Sequence, residues 1–175
     1  RQFLTTHRNK ALRSRAVELL GRQTTSRGEL VAGHLTKAGA LDGSADNGGT
    51  LFALHCAACH SLGGIGNPAG PDLASLGDKS ARALFTAILD PNRAVEDRFM
   101  VYTATTRGGD GVAGMITGET ATSITLMDLA GQQRQLLRSN VASLSSLGRS
   151  LMPEGLEQVL SVQDLADLVA YINAS

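Results

Sequence analysis

Cys56-Ala57-Ala58-Cys59-His60, entered from Phe52 and left through Gly63-Gly64-Ile65-Gly66-Asn67-Pro68-Ala69-Gly70-Pro71, decides how the rest of this 175-residue chain is read. Two thiols three positions apart, followed at once by an imidazole, meet the needs of covalent c-type haem attachment. Cys56 and Cys59 would add across the two vinyl groups of the porphyrin. His60 would then lie under the iron as its proximal ligand. The chain has 2 cysteines, so a single haem accounts for both.

Two other chemistries use such a pair. Structural zinc usually takes four ligands from two C-x-x-C-like pairs, and no second pair exists here. Adding His55 gives His55-Cys56-x-x-Cys59-His60, but donors crowded into so short a run struggle to reach tetrahedral geometry. A dithiol redox site would call for a βαβ context, which the Gly-rich flank does not offer.

Hydrophobic content of 42% and charged content of 18% are globular values. Lys+Arg and Asp+Glu both number 16, and this balance argues against a nucleic-acid partner, which calls for a basic face. Aromatic content is 3% with no Trp; a buried porphyrin would supply the flat apolar surface that aromatic side chains do not. No apolar run reaches transmembrane length. Arg1, with no initiator Met and no apolar leader, fits a processed form or a fragment.

Outward from the pentad, the periodicity predicts a helix over 1–22, with Phe3, Leu4, Leu12, Ala16, Leu19 and Leu20 on one stripe, and a second over 29–37. A small-residue linker follows at 39–44, so residues 1–44 read as a helical N-terminal extension or the end of a preceding domain. The main domain is expected at 45–175. Asp46 or Asn47 can cap the helix that carries Leu51, Phe52 and Leu54 into the pentad, and 63–71 must be a loop. Ser80 opens another helix with Leu84, Phe85, Ile88 and Leu89, and Asp90-Pro91-Asn92 stops it. Over 98–148 the pattern turns to Thr, Val and Ile runs broken by turns, predicting three to five antiparallel strands, with candidates at 99–107, 112–117, 123–129 and 132–137. Gly108-Gly109-Asp110-Gly111 is a hairpin signal. Ser161-Val162-Gln163-Asp164 has the form of a capping box before Leu165, Leu168, Val169 and Ile172, an amphipathic terminal helix.

A sixth iron ligand is sought among Met100, Met115, Met127 and Met152. The first three stand in strand-like runs, where Met is a core filler. Met152 precedes Pro153, which holds it extended in a loop and could aim its sulfur at a fixed point. His7 and His34 fall in the helical extension and read as surface residues. His55 is too close to His60 in sequence to reach the opposite face of the haem.

Gly49-x-x-Phe52-x-x-x-Cys56-Ala57-Ala58-Cys59-His60, Gly70-Pro71-Asp72-Leu73, Met152-Pro153 and the final helix together resemble class I cytochrome c. More narrowly, Ile88-Leu89-Asp90-Pro91-Asn92-Arg93, Ser150-Leu151-Met152-Pro153-Glu154-Gly155-Leu156 and Asp164-Leu165-Ala166-Asp167-Leu168 resemble the haem-binding domain of the planctomycete–verrucomicrobial type, which tends to end large secreted multidomain proteins. The resemblance covers roughly 45–175. It implies a mainly α, cytochrome c-like helical haem domain, from which the small antiparallel β segment read at 98–148 departs as an insertion. It further implies that the Pro71 carbonyl accepts a hydrogen bond from His60, orienting the ring.

The expected function is electron transfer by one covalently bound haem c with His60 and Met152 as axial ligands, and no enzymatic activity of its own. A redox partner protein or a fused dehydrogenase would exchange electrons with it. The alternative is a haem-based gas sensor in which Met152 is displaceable. Haem attachment in bacteria takes place outside the cytoplasmic membrane, so a periplasmic or exported location follows from the haem. An edge strand in the β segment could pair with a second copy to form a homodimer.

Overall fold

The computed structural model describes residues 8–93 and 95–175, without the side chains of 19–25. Its elements run α1 (Lys10–Ala38), α2 (Ala45–His55), β1 (Ser61–Leu62), β2 (Ile65–Gly66), α3 (Ala81–Leu89), β3 (Met100–Thr106), β4 (Gly111–Glu119), β5 (Ser123–Met127), β6 (Gln133–Leu137), β7 (Val141–Ser150) and α4 (Val162–Ala174).

Helix α1 replaces the two helices expected at 1–22 and 29–37. It starts at Asn9, whose side chain accepts the N–H groups of Ala11 and Leu12, and it runs unbroken to Ala38. Gly28 in its middle costs only about 1 kcal/mol of helix propensity. Burial of Val31, with Leu30 and Leu35 packed beside it, offsets that cost. Leu12 points to solvent at 52% exposure, so the expected apolar stripe does not hold there. Phe3, Leu4 and His7 lie outside the described residues.

Ser44, not Asp46 or Asn47, caps α2: its Oγ accepts the Asn47 N–H at 3.3 Å. Helix α2 then lies directly against α4. A side chain on Gly48 would collide with the Asp167 carbonyl oxygen, and one on Gly49 would meet the Tyr171 ring at 3.2 Å. These glycines let the two backbones touch. Phe52 is fully buried and meets Tyr171 with ring centroids 5.7 Å apart. The cluster they join holds Val31, Leu62, Leu84, Phe85, Leu89, Leu160, Leu165, Leu168 and Ile172. Ser80 caps α3, and Ser161 with Asp164 forms a reciprocal capping box on α4.

The mainly α expectation is overturned. Strands β3–β7 form a five-stranded antiparallel sheet in the order β6-β5-β4-β3-β7, and the chain is α+β. The sheet owns a second buried cluster of Ala104, Ile124, Leu126 and Leu136, with Tyr102, Val112, Ile116 and Val141 against it. Register accounts for this: Ala104 faces Val112, Ile116 faces Leu126, and Ile124 faces Leu136, so these side chains share a face. On the other face, Val101 pairs with Met115 and Met115 with Met127, all buried. Met115 and Met127 are fillers of the sheet. Strand β7 had no counterpart among the sequence candidates. It pairs with β3 along an edge, bulges around Gly148 and leaves Leu144 and Leu147 exposed.

Candidate functional site

The last turn of α2 delivers the pentad. Cys56 ends the helix with its N–H on the Phe52 carbonyl at 2.8 Å, and the next turn closes with Cys59 and His60 N–H groups on the Cys56 carbonyl at 3.0 and 2.9 Å. Both cysteines are free thiols and half-buried. Burial, reinforced by Cys59 alongside, pushes the Cys56 thiol up to about 11, so the haem-free thiol stays protonated at neutral pH.

The loop after His60 folds back over the pentad. Strand β2, inside the stretch expected to be irregular, pairs with β1 just before it in a two-residue ladder. Gly66 sits at φ +94°, and a side chain there would strike the His60 carbonyl oxygen. Asn67 donates its backbone N–H to Ala57 at 2.9 Å and its side-chain amide to Ala58 at 3.3 Å. The Gly70 N–H donates to the Cys59 carbonyl. His60 Nδ1 lies 2.9 Å from the Pro71 carbonyl oxygen. A carbonyl can only accept, so Nδ1 carries the proton and Nε2 keeps its lone pair for a metal. Asp72 steadies the next turn: a hydrogen bond from Ser75 at 2.7 Å and one from the Ala74 N–H hold its carboxyl below the usual range.

Gly66, Asn67 and Gly70 belong to this site, although reading for ligand types passes over them. Their roles are backbone approach and backbone hydrogen bonding. The available signal is the density of glycine immediately after an imidazole.

Met152 is half-buried just after β7, with its N–H on Ser150 Oγ at 3.1 Å. The neighbouring Leu151 lines a shallow concavity of about 430 Å³ with Val101, Ala113, Leu129 and Ser150. His34 bonds back to the Leu30 carbonyl of its own helix at 2.8 Å. Among the described residues, no group of three or more His, Cys, Asp or Glu is arranged to hold a metal ion. The pentad offers two tethering thiols and one oriented imidazole, a donor set that suits iron already held by a porphyrin.

A turn with two thiols and a proton-directed imidazole, cradled by a glycine loop, brings together the donors that covalent haem attachment uses. The family model for cytochrome c matches residues 45–104, from the start of α2 into β3. This match supports a c-type cytochrome with haem c as its cofactor; such a domain is an electron carrier and not an enzyme on its own. The Met152 loop and α4 lie beyond the matched stretch. No curated protein matches the chain. No helix among the described residues is long and apolar enough to cross a membrane.

Proposed function

We propose that this chain transfers single electrons through one haem c, tethered by Cys56 and Cys59 and ligated by His60 and Met152. When bound, the haem supplies a ferric/ferrous couple. His60 donates its Nε2 lone pair, and the Pro71 carbonyl holds the ring by accepting the Nδ1 proton and strengthens it as a donor. Met152 supplies a thioether, which favours the ferrous state and raises the potential within the c-type range. With His60 and Met152 both on the iron, no position would remain there for a substrate. The electron donor or acceptor is then a redox partner protein or a fused dehydrogenase, in the periplasm or another exported compartment.

The observation that carries this reading is the 2.9 Å contact between His60 Nδ1 and Pro71 O, set one residue from Cys59. The narrower planctomycete–verrucomicrobial likeness is part of the proposal, supported by the motifs around Asn92 and Met152. The test is a pyridine haemochrome spectrum on denatured protein after acid-acetone extraction. Colour retained by the polypeptide, with the spectrum of a doubly thioether-linked haem, is the expected result. Colourless polypeptide overturns the reading.

A further inference from the structure

Regular backbone pairing ends at Ser150, the last residue of β7, and ordered turn structure resumes only at Leu156. Met152 stands in the gap. The Met152 N–H on Ser150 Oγ is a local hold; the side chain that grips the loop from outside is Asn92, 60 positions upstream in sequence. Its Oδ1 accepts the Ser150 N–H at 2.8 Å, and its Nδ2 donates to the Glu154 carboxylate. One amide therefore grips the loop on both sides of Met152.

Asn92 is itself firmly placed. It follows the buried Pro91, at the end of α3, where the Asp90 N–H closes on Thr86 at 2.9 Å and the Arg93 N–H on Asp90 at 3.0 Å. Arg27 of α1 braces the far side: it donates to the Leu89 carbonyl at 3.2 Å and to Glu157 at 2.6 Å, and stands 3.9 Å from Glu154. The two motifs that the tethering chemistry leaves unused, Asp90-Pro91-Asn92 and Met152-Pro153-Glu154, are thus parts of one hydrogen-bonded clamp.

We propose that Asn92 is a positioning residue for Met152, holding the thioether against exchange with solvent or added ligands. This rests on the reading of Met152 as the sixth ligand. The amide acts on both flanks at once: losing it frees the loop's entry at Ser150 and its exit at Glu154.

The test uses the ferric, haem-loaded chain, the far-red sulfur-to-iron band, and titration with imidazole. Asn92→Ala should weaken the band and tighten imidazole binding at least about tenfold, the scale of one lost charge-assisted hydrogen bond. Asn92→Asp keeps the acceptor for Ser150 but sets a second carboxylate against Glu154, and should weaken the band and tighten imidazole binding at least as much as Asn92→Ala. In a Met152→Ala background, Asn92→Ala should add nothing to imidazole affinity, because no thioether remains to be held. An unchanged band and affinity in Asn92→Ala overturns the proposal, as does an equal tightening in the Met152→Ala background, which means general loosening. Survival of the band in Met152→Ala alone instead defeats the ligand assignment. Should Asn92→Ala fail to fold, Asn92→Asp and Asn92→Ser carry the same comparison.

Discussion

The Cα of Gly70 lies flat against the His60 ring: a methyl group there would stand 2.7 Å from Cε1 and 2.9 Å from Nδ1. The ring cannot retreat without breaking its bond to Pro71, nor can the loop lift without losing the bond from Gly70 N–H to Cys59. Gly70→Ala should therefore destabilise the protein by about 1–3 kcal/mol, the usual cost of overpacking. Urea denaturation checks the stability. In haem-loaded protein the same change should shift the reduction potential, since it disturbs the ring proposed to ligate the iron. A variant with native stability and potential would show that the ring tolerates the intrusion.

Asp167 is only 3% exposed. Burial works against its charge, but hydrogen bonds from the Ser44 N–H, Gln163 and Asn47 outweigh burial and hold its carboxyl below the ordinary range. A folded value below the unfolded one means that its contribution is present above the unfolded value and is lost as pH falls through the folded one. Asp167→Asn should cost about 1.5–3 kcal/mol at neutral pH, the range for hydrogen bonds to a charged group. The gap to the parent protein should close on acidification. Urea midpoints measured from neutral to acid pH decide it; a constant gap would exclude Asp167 as the titrating group.

Arg27 and Glu157 form a partly buried pair, with side chains 22% and 17% exposed. The second carboxylate oxygen of Glu157 has no hydrogen-bond partner among the described residues, so Arg27 is its main compensation. Arg27→Met should cost about 2 kcal/mol, below the range for a fully buried broken pair. Arg27→Met with Glu157→Gln should recover part of that loss, because no charge is then stranded. Thermal denaturation of the four proteins of this cycle measures the coupling. Additive losses would mean that the pair does not interact.

Leu126 belongs to the sheet cluster and not to the cluster that surrounds Phe52. Leu126→Ala should cost about 2–5 kcal/mol, as buried leucines do when truncated. The loss should be felt first in the sheet. Circular dichroism in the strand region is expected to melt ahead of the Soret band in the haem-loaded variant. Coincident transitions would show that sheet and helices unfold as one unit.

The pentad was legible because its chemistry is local, with Cys56, Cys59 and His60 in one turn; the Pro71 contact followed from the family resemblance, and the Gly66, Asn67 and Gly70 contacts were missed because they act through backbone. The caps at Ser80 and Ser161 were legible because they too are local. Strand β7 was not. It is Ser-rich, almost wholly exposed and lacks the two-residue apolar alternation that marks a half-buried strand. Its existence depends on pairing with β3, which no local pattern encodes. The strand runs at 98–148 predicted three to five strands, and five form; the mainly α expectation came from the family resemblance, which gave the sheet too little weight. Ser44 was passed over as a cap because Asp46 and Asn47 are equally good capping types. The tie between Asn92 and Glu154 spans 62 positions, beyond the reach of any short motif.

The abutment of α2 on α4 through Gly48 and the Phe52–Tyr171 rings sets an order of events for a chain that emerges from its N-terminus. The segment bearing the two thiols cannot settle against its final support until the closing thirteen-residue helix has appeared. The run of hairpins β3–β6 between them, built from near neighbours, can form beforehand. Until α4 arrives, the turn that carries Cys56 and Cys59 lacks this support, and α4 acts as the latch that closes over it.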